Sequence, residues 1–148
     1  MKLGFEFHEV MTGTYTRSGH PSSTGAVRLT ARMHAASARQ HLRDGMCTLE
    51  GTIDMEGVAD DVPVSGTLDM RPFTRKVIAY DFSFTGNDGQ PYRFVGQKDV
   101  KLTDFGRTMT TLPGAFTDAS GKEFARATLH FDYQDLLPFV VSWKPALG

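Results

Sequence analysis

Two charged residues lie where an alternating pattern otherwise places apolar side chains. Glu9 shares the phase of Phe7 and Met11, and Lys98 shares the phase of Phe94. Residues two apart on a strand face the same side, so both charges are predicted to point inward unless a strand end or a bulge lets them reach solvent. A lone buried charge is strongly destabilising. The sequence therefore predicts either a buried Glu9–Lys98 pair or two charges that face a wet cavity.

A carboxylate and an ammonium on an inner face could serve two kinds of chemistry. They could orient an apolar ligand by its polar end, because ligand pockets are mostly apolar with a few placed polar groups. Alternatively, Glu9, Lys98 or Tyr80 could supply acid–base help in a cyclase or isomerase, if burial tunes the group. The chain has no Ser-His-Asp arrangement, glycine-rich phosphate loop or HExxH pattern, so no catalytic residue is assigned.

The elements that must position these residues are predicted to be strands. Four alternating runs follow one another between Met46 and Asp99, and turn-forming residues separate them at 57–61 and 86–89. This pattern is typical of an antiparallel meander.

The flanking segments are predicted from the same pattern. Alternation predicts strands at residues 2–14, 27–33, 108–112 and 125–133. A polar run rich in Gly, Pro and Ser predicts a flexible loop at residues 17–25. An Ala-rich stretch predicts a short helix at residues 35–43, and an unpatterned apolar stretch predicts a short helix or cap at residues 134–143.

The fold class that follows is a single all-β domain over residues 1–148. We predict an antiparallel, calycin- or lipocalin-like barrel of roughly eight strands with one or two short helices, because hairpins in sequence order favour up-and-down closure over a sandwich. Barrels of this size either fill their interior or hold one small ligand, and the pattern leaves both open.

Aromatic residues on the inner phases would line a cavity or, equally, form an ordinary packed core. With the two charges and one methionine they give the predicted ligand-binding set: Phe5, Phe7, Glu9, Tyr80, Phe82, Phe94, Lys98 and Met109.

The composition and charge of the chain limit the classes of binding partner that the sequence predicts. A net charge of −1 gives no field for nucleic acid, and the single Cys47 falls on an apolar phase, as a buried thiol would. The five histidines show no metal-ligand spacing, so neither a metal nor a cofactor is predicted. The first residues lack the apolar stretch of a signal peptide or a membrane span, so a cytoplasmic location is expected.

Four stretches resemble, in order, a small module that accompanies some cholesterol-oxidase-like glucose-methanol-choline flavin oxidoreductases. They read FEFHEVMTG at residues 5–13, GQKDV at 96–100, TMTTL at 108–112 and ATLHFDYQDLLP at 127–138. The flavin-binding fingerprint and catalytic histidine region of those enzymes are absent. The resemblance implies an accessory β-domain that works beside a sterol or lipid enzyme and has no oxidase activity of its own.

Three functions remain open from the sequence. The first is a non-enzymatic barrel that binds a hydrophobic small molecule, such as a sterol or another lipid, or that docks to a flavin oxidoreductase. The second is the cyclase or isomerase described above. The third is a structural or interaction domain with a filled interior.

Overall fold

A computed structural model describes residues 3–35, 46–70, 77–99, 103, 110–131 and 144–147, with side chains over 8–34, 46–69, 78–99, 103 and 110–131. The elements defined in these ranges are nine strands. They are β1 (Leu3–Arg17), β2 (His20–Ala35), β3 (Met46–Met55), β4 (Ala59–Met70), β5 (Val77–Thr85), β6 (Pro91–Asp99), β7 (Thr111–Thr117), β8 (Glu123–His130) and β9 (Lys144–Leu147).

The first eight strands form one closed antiparallel barrel. Each strand pairs with the next along the chain, and β1 closes the ring by pairing with both β2 and β8. The short β9 pairs with residues 3–6 of β1, on the edge where β8 covers only residues 12–17. The predicted up-and-down antiparallel barrel of about eight strands is therefore confirmed. Because the sheet closes on itself, each of the eight strands pairs with a neighbour on both sides along at least part of its length.

Alternation builds the barrel core. Strand β6 alternates exposed and buried residues along its whole length, and β8 does so over most of it. The inward phase carries the apolar residues, including Cys47, which is buried as its phase predicted. Because side chains on a strand point to opposite faces, this single rule fills the interior and keeps the outer wall polar.

The two ends of the barrel differ. Short connections at residues 18–19, 56–58, 86–90 and 118–122 lie at one end, called here the turn end. The opposite strand ends, at Ala35, Met46, Met70, Val77, Asp99, Thr111 and His130, define the other end, called here the loop end. The antiparallel order of the strands dictates this division, since each hairpin reverses the direction of the chain.

Two predicted boundaries are wrong. Residues 20–25 were expected in a loop but extend β2, because β1 runs on to Arg17 and pairs with them to form an exposed ribbon. The strand expected at 108–112 begins at Thr111 and continues through Pro113 to Thr117. Proline lacks the N–H that a residue inside a strand donates to the hydrogen-bond ladder. Pro113 is tolerated because the β6–β7 ladder ends one residue away, at the Gly96–Gly114 pair, so no ladder bond to β6 needs that N–H.

The two predicted helices fall outside the described residues, apart from Ala35, which ends β2. No helix in the described ranges has both the length and the hydrophobicity that a membrane crossing needs.

Candidate functional site

The two inward charges meet inside the barrel. Glu9 on β1 is 6% exposed and Lys98 on β6 is 3% exposed, so neither reaches solvent through a strand end or a bulge. The Lys98 ammonium donates to Oε2 of Glu9 across 3.2 Å. The predicted burial and pairing of these residues are therefore confirmed.

Tyr80 joins the pair from the opposite wall. It lies on β5, four strands away from β1 in a ring of eight, and its hydroxyl donates to Oε1 of Glu9 across 2.5 Å. The Lys98 ammonium also lies 5.2 Å from the centroid of the Tyr80 ring, within cation–π range. Glu9, Tyr80 and Lys98 are called the polar cluster below. A direct hydrogen bond between opposite walls means that side chains occupy the barrel at this level.

Burial sets the protonation state of Tyr80. Removal from water raises the pKa of its hydroxyl well above the ordinary value, and the negative charge and hydrogen bond of Glu9 raise it further. The hydroxyl therefore stays protonated near neutral pH and acts as a donor. Glu9 thus accepts one bond on each carboxylate oxygen.

The ammonium of Lys98 has unused hydrogen-bonding capacity. It carries three N–H donors, and Glu9 is its hydrogen-bond acceptor among the described residues. Two donors therefore have no described acceptor, although the side chain is almost completely buried. A buried donor without an acceptor is destabilising, so this position favours an additional oxygen atom.

Phe82 and Phe94 form part of a close-packed aromatic layer. Their rings stack at 5.0 Å, and the Phe94 ring lies 4.9 Å from that of Phe116. Phe82 is 1% exposed, and Phe94 and Phe116 have no exposed surface. A side chain with no accessible surface touches no water-sized void, so the barrel is filled around this layer.

The structure thus divides the predicted ligand-binding set. Glu9, Tyr80 and Lys98 come together, whereas Phe82 and Phe94 contact each other in the filled layer. The side chains of Phe5 and Phe7 lie outside the described part of the chain, as does Met109. A ligand-binding role for any of these residues stays a prediction.

Sequence reasoning missed two features of this site. It placed Tyr80 on an inner phase but did not predict its bond to Glu9, because strand phase says nothing about which side chains meet across a barrel. It also did not single out Thr110, which is 7% exposed near the loop end and whose carbonyl accepts from the Phe131 N–H at 2.8 Å. The cluster of threonines at residues 108–111 was the available signal.

Two shallow grooves lie on the outer wall, away from the polar cluster. One, of about 600 Å³, is lined mainly by Thr, Gly and Ala residues of β1, β6, β7 and β8. The other, of about 590 Å³, crosses β1 to β4 and includes His8, Arg32 and Glu50. Neither includes a buried charged side chain, so we locate the candidate site at the polar cluster. The described residues also contain no group of three or more His, Cys, Asp or Glu side chains placed to hold a metal ion.

Comparison of the chain with protein-family models, with curated proteins and with solved structures finds no match. The resemblance to the accessory module of flavin oxidoreductases therefore stays a prediction from short motifs.

Proposed function

We propose that this protein is a non-enzymatic, calycin-like barrel that binds a small apolar molecule with one polar end, such as a sterol or another lipid. The polar cluster anchors the polar end of that molecule. The observation that carries the proposal is the buried Lys98 ammonium, which has two N–H donors with no acceptor among the described residues while Glu9 neutralises its charge.

The energetic cost of the polar cluster supports a functional role. Replacing a buried ion pair with well-packed apolar residues is often neutral or stabilising, so such a pair is weak evidence for a purely structural role. The rest of the described interior is almost entirely apolar, with Glu9, Lys98 and Thr110 as the buried polar exceptions. Recognition of a polar group on a ligand would explain why this interior contains a pair of opposite charges.

The position of the cluster agrees with this role. Lys98 is one residue from the loop-end terminus of β6, and Tyr80 lies near the loop-end start of β5. The ligand would approach from the loop end, with the polar cluster as the floor of its site and the Phe82–Phe94 layer beneath the cluster.

Thermal unfolding tests the proposal directly. A ligand that binds only the folded state raises the melting temperature in proportion to the logarithm of its concentration over Kd. We expect a shift with at least one member of a panel of sterols, long-chain alcohols and fatty acids. The shift should shrink in Lys98→Met and persist in Arg93→Met, which removes an exposed cation from the same strand. No shift across the panel would favour an interaction domain with a filled interior.

An acid–base enzyme is the second candidate, and the Tyr80–Glu9 hydrogen bond is the observation that favours it. A protonated tyrosine bonded to a carboxylate can deliver a proton to a substrate oxygen. In that case Tyr80→Phe would abolish turnover of the bound compound and leave its Kd nearly unchanged. A compound recovered chemically unaltered from the wild-type protein supports the non-enzymatic function.

A further inference from the structure

The polar cluster is electrically neutral as a whole. It holds one carboxylate, one ammonium and one protonated hydroxyl, and the described residues contain no other buried charged side chain. The residues paired with cluster members across the strands are apolar and buried: Ala31 beside Glu9, Leu68 beside Tyr80 and Ile78 beside Lys98. Among the described residues, any charge that a ligand brings here would therefore find no counter-charge left over.

We propose that the polar end of the ligand is an uncharged oxygen acceptor, a hydroxyl or a carbonyl, and not a carboxylate or an amine. This inference rests on the proposed function and adds the chemical class of the ligand. An uncharged oxygen accepts from the spare N–H donors of Lys98 and leaves the Glu9–Lys98 pair intact.

Charged ligand ends are disfavoured for two physical reasons. A carboxylate beside Lys98 would place two negative charges around one positive charge in a dry interior, and no described side chain compensates the excess charge. An amine would add a second cation near the ammonium, where like charges repel in a low dielectric. The same Lys98 without Glu9 would have the opposite preference, because its unpaired positive charge would recruit an anion.

The test uses two probes with the same alkyl chain, dodecanol and dodecanoate, at a pH where the acid is ionised. Isothermal titration calorimetry measures Kd for each probe with the wild-type protein, and we expect dodecanol to bind at least about tenfold more tightly, the ratio that corresponds to ~1.4 kcal/mol. Glu9→Gln removes the negative charge and keeps the shape of the side chain. It should reverse the order, so that dodecanoate binds more tightly and raises the melting temperature of this variant more than that of the wild type.

The outcomes separate this inference from the proposed function. Equal affinities, or a wild-type preference for dodecanoate, would leave ligand binding in place and overturn the uncharged-oxygen inference. An unchanged ratio in a folded Glu9→Gln variant would overturn it as well. Binding of neither probe by the wild-type protein would contradict both proposals. If Glu9→Gln does not fold, the wild-type ratio and the Lys98→Met variant decide. Lys98→Met removes the N–H donors, so a weaker Kd for dodecanol in that variant supports the inference, and an unchanged Kd for dodecanol overturns it.

Discussion

Solvent exposure separates the Glu9–Lys98 ion pair from the ion pairs on the outer wall. The side chains of Glu9 and Lys98, which join β1 to β6, are 5% and 3% exposed, whereas those of Asp81 and Arg93, which join β5 to β6, are 41% and 57% exposed. An exposed pair contributes little, because water and salt screen it. Removing one partner of a buried pair leaves a desolvated charge behind, which is strongly destabilising.

Lys98→Met should therefore lower the free energy of unfolding by about 3 kcal/mol, the scale of an uncompensated buried charge. Arg93→Met on the outer face of the same strand should change it by no more than about 1 kcal/mol. Urea unfolding measures both. In the double variant with Glu9→Gln, the total loss should be smaller than the sum of the single losses, since both charges are then absent. Additive losses would show that the two side chains do not interact.

Tyr80 should make the protein sensitive to alkaline pH. The folded state holds the pKa of its hydroxyl above the unfolded value, so above pH about 10 the unfolded chain releases a proton that the folded chain keeps. The folded state then binds more protons, and its stability falls as pH rises, by up to about 1.4 kcal/mol per pH unit from this group.

The Tyr80→Phe variant isolates the contribution of the Tyr80 hydroxyl to the free energy of unfolding. At neutral pH it should destabilise the protein by about 2 kcal/mol, because it removes a hydrogen bond to a charged acceptor. The difference in unfolding free energy between wild type and variant should shrink as pH rises beyond 10, and urea melts at a series of pH values measure it. A difference that stays constant with pH would contradict the raised pKa of the Tyr80 hydroxyl, which comes from burial first and from Glu9 second.

At this scale the sequence predicts the burial of the charges and not their full set of partners. The phase of Glu9 and Lys98 along their strands sufficed to place both inside and, from the cost of lone charges, to pair them. The bond from Tyr80 could not be predicted, because it depends on the strand tilt that brings β5 opposite β1 at the level of Glu9.

Glycines on the inner face of β6 and β7 make room for an aromatic ring. A Cβ on Gly96 would lie 2.9 Å from Cε1 of Phe94, and a Cβ on Gly114 would lie 2.6 Å from Cε2 of the same ring. Gly96 and Gly114 pair across the two strands, so together they form a flat patch against which the ring packs. Close approach of this kind is a common reason for a glycine inside a strand.

Gly114→Ala should destabilise the protein by about 1–3 kcal/mol, the usual effect of overpacking a dense core. The loss should be smaller in a Phe94→Leu background, because leucine lacks the ring atoms that the new methyl group meets. Urea unfolding of the wild type, the two single variants and the double variant completes the cycle. If Gly114→Ala has the same effect in both backgrounds, the ring is not what requires the glycine.

The elements were predictable where alternation is strong and not where polar residues pair at the surface. The runs between Met46 and Asp99 correspond to β3 to β6, because one face of each is buried and its period is therefore visible. Residues 20–24 are exposed on both faces of the ribbon, so their strand state leaves no hydrophobic pattern. Their extended structure comes from pairing with β1, which is a tertiary effect.

At the turn end of the barrel, hydrogen bonds link β1 and two of the turns. The Tyr15 hydroxyl donates to the Glu56 carbonyl at 2.6 Å, and the Asn87 N–H donates to the Val58 carbonyl at 2.8 Å. Val58 is buried beneath these contacts. The aromatic layer fills the barrel between this end and the polar cluster. The proposed function therefore has the ligand enter from the loop end.

Hydrogen exchange with and without dodecanol should show which end of the barrel the ligand contacts. Binding slows exchange most where the ligand stabilises local openings, so we expect added protection in peptides that cover residues 8–11, 78–81 and 96–99. These carry the polar cluster near the loop end. Turn-end peptides that cover residues 56–58, 86–90 and 118–122 serve as the internal control, and their local exchange should change little.

Protection confined to β1, β6, β7 and β8 residues along the outer groove would instead locate the binding site on the outer wall. Protection concentrated at the turn end would contradict the loop-end route, because Val58 and the contacts above it would then have to open for the ligand.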